Sequence, residues 1–285
     1  MVRNSIPRVF QDRRPPGSAL VQDLDFLVRE PAQVYHAKAD QFLSSHQLAD
    51  FRSNPLLFHK KRCGLVQEED RPVYILGRAA HTLILEGRKV YEGTFAIGGP
   101  INPKTGAPFG SRTKKFLEWA KAQGKPVLTS ENAALIEEME RAVRAHKHAA
   151  ALLGKGVPEG VVRAHYNGIP CQARLDWLHP ERGLTDLKTC DNLDWFPVDA
   201  RSYGYVHQVA FYRSLLEVVT GVRFPVHIIA VEKREPFRCG VWRLGQEVLA
   251  LAAKENEAAM EGLKGCLETD TWPTGYEEIR VLDHL

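Results

Sequence analysis

The stretch GVVRAHYNGIPCQARLDWLHPERGLTDLKTC, residues 160–190, constrains the fold of this chain more than any other. Asn167-Gly168 is the pair that a two-residue type I′ turn requires, because both central positions need positive φ. The runs on either side therefore pair as antiparallel strands. A second turn, His179-Pro-Glu-Arg-Gly183, reverses the chain before Leu184–Cys190, so that Asp176 and Asp186 become neighbours across two strands. Lys188 follows Asp186 by two residues, and on a strand that spacing puts both side chains on one face.

Two carboxylates in one small, partly dry volume repel and raise each other's pKa unless a cation lies between them. A hard divalent ion, Mg²⁺ or Mn²⁺, satisfies such a pair through oxygen ligands and leaves positions for water and phosphate. A lysine beside that pair suits hydrolytic chemistry at phosphorus.

Leu175-Asp176 followed by Asp186-Leu187-Lys188 resembles the PD-(D/E)XK nuclease signature, with Leu175 where the family name has proline. Its companions occur in the order of the RecB-type branch: Gly77-x-x-x-His81 upstream, Glu159 before the hairpin, and Gln208-x-x-x-Tyr212 downstream. The segments SSHQLADFRSNPLLFHKK, GRAAHTLILE, QARLDWL, TDLKTC and GYVHQVAFY are similar to the nuclease domain of the exodeoxyribonuclease VIII (RecE) family, over roughly residues 35–220.

The resemblance implies an α/β (α+β) restriction-endonuclease-like core, with a mixed central sheet flanked by helices. It implies that His81, Asp176, Asp186 and the Leu187 carbonyl bind metal, and that Lys188 orients or deprotonates the attacking water. Gln208, supported by Tyr212, assists, and Glu159 holds a water or a second metal. The implied activity is hydrolysis of phosphodiesters in linear double-stranded DNA, 5′ to 3′. A homo-oligomeric ring around the duplex and a single-strand annealing protein as partner are implied as well. Two alternatives remain at this point: a structure-selective or restriction-like endonuclease of the same fold, and a module that binds DNA ends without cutting.

Composition limits other classes. The 285 residues suffice for a large core, and 44% apolar with 26% charged residues is ordinary for a globular protein. A net charge of +3 is too small to argue for nucleic acid by itself. The sequence has no 18-residue apolar run and no apolar leader, so neither a membrane span nor a signal peptide is expected. Cys63, Cys171, Cys190, Cys239 and Cys266 are scattered without a C-x-x-C pair. They read as reduced thiols of a cytoplasmic protein, and no iron–sulfur cluster is expected.

Residues 1–33, with Arg3, Arg8, Arg13 and Arg14 among four prolines, read as a basic arm, and 34–285 as a single nuclease domain. A helix is predicted from Ser44 or Ser45, with Asn54-Pro55 able to split it and a basic end at His59–Arg62. Val73–Glu86 reads as a helix in which Gly77 permits close backbone approach. Residues 98–112 form a Gly/Pro loop whose Lys104 and Arg112, with Lys114 and Lys115, either border a DNA channel or are simply solvated. Helices are predicted at 113–123, at 131–153 with Ser130 as cap, at 199–219 and at 246–267, and strands at 224–232 and 238–244. Trp195 and Phe196, in a loop over 191–198, are candidates to stack on a base. The tail from Thr271, with Trp272-Pro273, is expected to pack on the body or on a neighbouring subunit.

Overall fold

A computed structural model of the chain describes residues 24–66 and 72–281. The arginines expected in a basic arm, Arg3 to Arg14, lie outside the described residues. The body begins upstream of residue 34, since Leu27 is buried and the Val28 amide donates to the Val161 carbonyl at 2.8 Å.

Among the described residues four short helices come first: α1 (Ala32–His36), α2 (Ser45–Ser53), α3 (Pro55–Arg62) and α4 (Pro72–His81). Ser44 and Gln47 close a reciprocal capping box that fixes the start of α2. Asn54 ends α2 and its side chain caps α3, whose first residue is Pro55, so the expected split occurs. Beyond His81 the helix widens into a π-helical turn, Thr82–Glu86, an irregularity frequent at functional sites. A Cβ on Gly77 would meet no atom within 4 Å, so this glycine serves no close backbone approach.

Next come α5 (Arg88–Thr94), β1 (Ala96–Ile97), α6 (Lys114–Gln123), β2 (Val127–Leu128), α7 (Ser130–Ala145) and α8 (Lys147–Leu152). The single helix expected over 131–153 is broken at His146, which leaves helical geometry and caps α8 through its side chain. Thr129, not Ser130, caps α7. The small parallel β1–β2 pair was not foreseen, because two residues carry no periodicity to read.

The central sheet holds β3 (Val157–Tyr166), β4 (Ile169–His179), β5 (Gly183–Cys190), β6 (Val226–Glu232) and β7 (Cys239–Arg243), in that spatial order. It is mixed: β5 and β6 run parallel and the other pairs antiparallel. Asn167 (φ +48°) and Gly168 (φ +79°) make the two-residue turn between β3 and β4. At the second turn, a Cβ on Gly183 would lie 2.2 Å from the Pro225 carbonyl oxygen, so only glycine lets β5 start against β6.

The crossover from β5 to β6 is not one helix but two, α9 (Phe196–Ser202) and α10 (Tyr205–Thr220), parted by the left-handed Gly204. The long α11 (Gln246–Thr269) closes the fold. One face of the sheet packs on α2, α10 and α11 through Phe51, Phe211, Leu215 and Leu249, and the other on α4 and α7 through Ala80, Ile136 and Met139. Truncating a fully buried ring such as Phe211 to alanine would cost about 3–5 kcal/mol. Trp272 in the tail stacks on His59 of α3 at 4.3 Å, so the tail packs on the body. No helix among the described residues is long and apolar enough to cross a membrane.

Candidate active site

The site forms where the sheet's regular pairing fails. The β4–β5 ladder runs from His179↔Gly183 to Trp177↔Thr185 and stops there. One step further on, Asp176 and Asp186 stand where the next pair would be. The Leu187 amide donates to Asp176 Oδ2 at 2.7 Å instead of to a backbone carbonyl. The strands thus diverge into a wedge whose mouth carries the acidic side chains.

On the other side of β4, the β3–β4 ladder skips the pair Glu159–Asp176 between Pro158↔Trp177 and Gly160↔Leu175. Glu159 has φ +54°, a left-handed conformation that costs a non-glycine residue about 1–2 kcal/mol. A single such residue shifts the alternation of the strand by one. Val157 and Val162 therefore reach the same apolar cluster, although strict alternation would send them to opposite faces. Glu159, expected ahead of the first strand, lies within it.

His81, at the end of α4, completes the group. Its Nδ1 is 3.5 Å from Asp176 Oδ2, and ligand atoms of His81, Glu159 and Asp176 all lie within 4.8 Å of one another. Gly77, one helical turn earlier on the same face, keeps the adjoining space clear.

Asp186 faces Lys188 rather than this triad. It is fully buried, and Lys188 Nζ lies 2.6 Å from Oδ2, but off the direction of an aligned hydrogen bond. Neither Asp186 oxygen has a well-aligned donor among the described residues. Lys188 instead donates to Gln208 Oε1 at 3.0 Å, and Gln208 Nε2 donates to the Tyr212 hydroxyl at 2.8 Å. Ser45 donates to the same hydroxyl at 3.4 Å. Gln208 and Tyr212 are four apart on α10, so one helix face presents both to the lysine.

Electrostatics follow from burial. Burial, joined by repulsion from Asp176, pushes the Glu159 carboxyl up to about 8. Asp186 rises to about 6, chiefly by burial, with Lys188 opposing the shift. Burial raises Asp176 too. His81 falls to about 4 through burial and the Lys188 charge, so its imidazole is neutral and offers a lone pair. Burial alone would lower Lys188, yet Asp186 and Asp176 outweigh it and hold the ammonium above its ordinary value. Two carboxyl groups within 4.8 Å of a neutral imidazole, with the donor-poor Asp186 carboxylate close by, are the donor set a divalent cation takes, and so the residues fit a metal.

Several neighbours escaped the sequence reading. Arg174 lies 3.0 Å from Glu159 Oε2. It sits two residues before Asp176 on the same strand face, a spacing that could have revealed it. Tyr205 places its ring 4.7 Å from Lys188 Nζ, and it is three residues before Gln208 on one helix face. His46 of α2 feels the charges of Lys188 and Asp186. No local signal marks it. Phe196, a stacking candidate, is buried against Trp242 at 4.6 Å and is unavailable to a base, whereas Trp195 is exposed. Lys104, Arg112, Lys114 and Lys115 stand exposed, Lys115 over the Phe109 ring.

A five-strand mixed sheet flanked by helices, with Asp176, Asp186 and Lys188 where two strands part, defines a PD-(D/E)XK fold. The chain belongs to the family described as a PDDEXK-like domain of unknown function (DUF3799), which it matches over residues 44–284. Among solved structures it is similar to a protein from Eubacterium rectale to which an exonuclease role is ascribed, with a TM-score of 0.66 at 14% identity, covering 90% of this chain and 96% of that one. The alkaline exonuclease LHK-Exo from Laribacter hongkongensis aligns over 56% of this chain and 85% of its own, at 16% identity and a TM-score of 0.30. Among curated proteins no sequence matches.

Proposed function

We propose that this chain is a divalent-metal-dependent deoxyribonuclease that digests linear double-stranded DNA from its ends. The observation that carries the proposal is the position of Lys188, held between Asp186 and Gln208 on one side of a cluster formed by His81, Glu159 and Asp176. A binding module has no physical need for an ammonium fixed beside buried carboxylates, whereas hydrolysis has.

In this reading His81, Asp176 and Glu159 would hold Mg²⁺ or Mn²⁺, with Asp186 and the Leu187 carbonyl beside them. The metal, when bound, supplies Lewis-acid activation of water and of the phosphate. Lys188 orients the attacking water at Nζ and offsets the negative charge that develops on phosphorus. Gln208 fixes the direction of the ammonium by accepting one of its protons, and Tyr212 and Ser45 fix Gln208 in turn. The neutral His81 keeps its lone pair for coordination across the physiological range.

The finer statements rest on the RecE resemblance of the segments named above: 5′-to-3′ polarity, a homo-oligomeric ring around the duplex, and delivery of the product strand to a single-strand annealing protein. One gel tests the core of the proposal. Linear duplex labelled at either end and a covalently closed circle are incubated with Mg²⁺, Mn²⁺ or EDTA, beside Lys188→Ala. The expected result is metal-dependent loss of linear DNA from its 5′ ends, with the circle intact and the variant inactive. Cutting of the circle would make the protein an endonuclease, and binding of ends without cleavage would make it a binding module.

A further inference from the structure

Tyr203, the C-cap residue of α9, is 68% exposed, an unusual position for a large aromatic ring. It does not stand alone. Gly204 (φ +68°) turns the backbone so that the rings of Tyr203 and Tyr205 meet at 5.7 Å, inclined by 35°. Tyr205 packs on Phe196 at 6.2 Å, and Phe196 on Trp242 at 4.6 Å. A row of rings thus runs from the core to the surface, anchored at Phe196 and ending in the open ring of Tyr203. The row also touches the site, because Lys188 Nζ lies 4.7 Å from the centre of the Tyr205 ring.

We propose that Tyr203, backed by Tyr205, is a stacking platform for an unpaired nucleobase of the strand whose phosphate lies against Lys188. The inference rests on the nuclease reading and adds a base subsite to it. Bases repeat about every 3.4 Å along a stacked strand. Tyr203 lies one ring beyond Tyr205, so a base a few steps from the phosphate at Lys188 comes within reach of it. A paired base inside a duplex has both faces covered by its neighbours, so the platform selects a terminal or frayed base. Every base has a π-face, which makes such a contact indifferent to sequence. Anchoring of Tyr205 between Phe196 and Lys188 means that little side-chain freedom is lost on binding.

The test measures binding of a phosphorothioate duplex with a five-nucleotide overhang to the full chain in Ca²⁺, by fluorescence anisotropy. Single abasic positions are stepped through the overhang, and wild type, Tyr203→Ala and Tyr203→Trp are compared. The expected outcome is a Kd about fivefold or more higher for Tyr203→Ala, restored by Tyr203→Trp, with one abasic position weakening wild type but not Tyr203→Ala. An equal Kd for wild type and Tyr203→Ala overturns the platform, as does an abasic loss that persists in Tyr203→Ala. A change in sedimentation with unchanged DNA binding would give the ring to a second copy of the chain and overturns it as well. If wild type neither binds nor cuts DNA, the nuclease reading falls first; if it cuts while Tyr203 is indifferent, only the platform falls.

Discussion

The Leu187 amide donates to Asp176 Oδ2 at 2.7 Å, across the point where the β4–β5 ladder ends. A carboxylate has taken over the backbone bond that would have zipped the strands shut. On its other side β5 stays paired with β6, Leu187 opposite Ile229, so the strand that carries Asp186 and Lys188 is held rigid while the wedge beside it stays open.

Lys188 is the test of the buried pair. Lys188→Met leaves the Asp186 charge buried without its cation, a change that costs about 3–5 kcal/mol when the carboxylate stays ionised. Protonation of Asp186 limits this cost, since its pKa, about 6 with the lysine present, then rises further. The variant should lose nuclease activity by at least about 100-fold. Urea denaturation should show its stability deficit growing from pH 5 to pH 8. A deficit that does not change with pH would show that Asp186 is not the group left uncompensated.

Metal binding should release protons. Glu159, at about 8, is protonated at neutral pH in the metal-free protein, and a cation takes the ionised form. Affinity for Mn²⁺ should therefore fall as pH drops from 8 towards 6. For stability the sign is that of a raised acid: the contribution is fully present below the unfolded value near 4.5 and is lost as pH rises through 8. Calorimetry at pH 7 in buffers of different ionisation enthalpy would measure the protons released, and Glu159→Gln should abolish the Glu159 share. Equal proton release by the two proteins would remove Glu159 from the metal site.

Backbone strain at Glu159 separates function from stability. At φ +54° a glycine is relaxed where alanine is not, so Glu159→Gly should be more stable than Glu159→Ala by about 1 kcal/mol. Both should bind metal poorly. Chemical denaturation of the two variants checks the order, and a more stable alanine variant would show that the conformation is not strained.

Gly77 makes the opposite trade. Its helical backbone and the open space at its Cβ predict that Gly77→Ala stabilises the protein by about 0.5–1 kcal/mol. Gly77→Phe should keep the fold and raise KM for DNA, because the ring enters the space beside His81. Thermal melts and steady-state kinetics would show this, and unchanged KM in the phenylalanine variant would place that helix face outside the substrate path.

Local physics explains which parts were legible in the residues. Asn167-Gly168 has to make a tight turn because few other pairs tolerate two positive φ values, and the alternation around Asp186 and Lys188 is a property of any strand. Ser44 with Gln47, Asn54 with Pro55, and the spacing of Gln208 and Tyr212 are likewise set within one or two turns of chain. These sufficed for the strand order of the hairpin region and the face that carries the lysine, whereas the mixed sheet was implied by the family resemblance.

The rest depended on what meets what in three dimensions. Glu159 sits inside β3 in a left-handed conformation, which no propensity favours and only the surrounding strands impose. Phe196 is buried and Tyr203 open, although both border the same short helix, because Trp242 from a distant strand covers the Phe196 ring, while Tyr203 meets the Tyr205 ring and otherwise stays exposed among the described residues. The meeting of His81 with Glu159 and Asp176 joins a helix end to two strands far along the chain. The raised carboxyls and the lowered imidazole come from burial, and burial is a property of the packed molecule rather than of any segment. The sequence by itself marked the candidate groups and the strand faces on which they lie. Tertiary structure decided their distances and charges, because removal from water and proximity across the chain exist only once the wedge has formed.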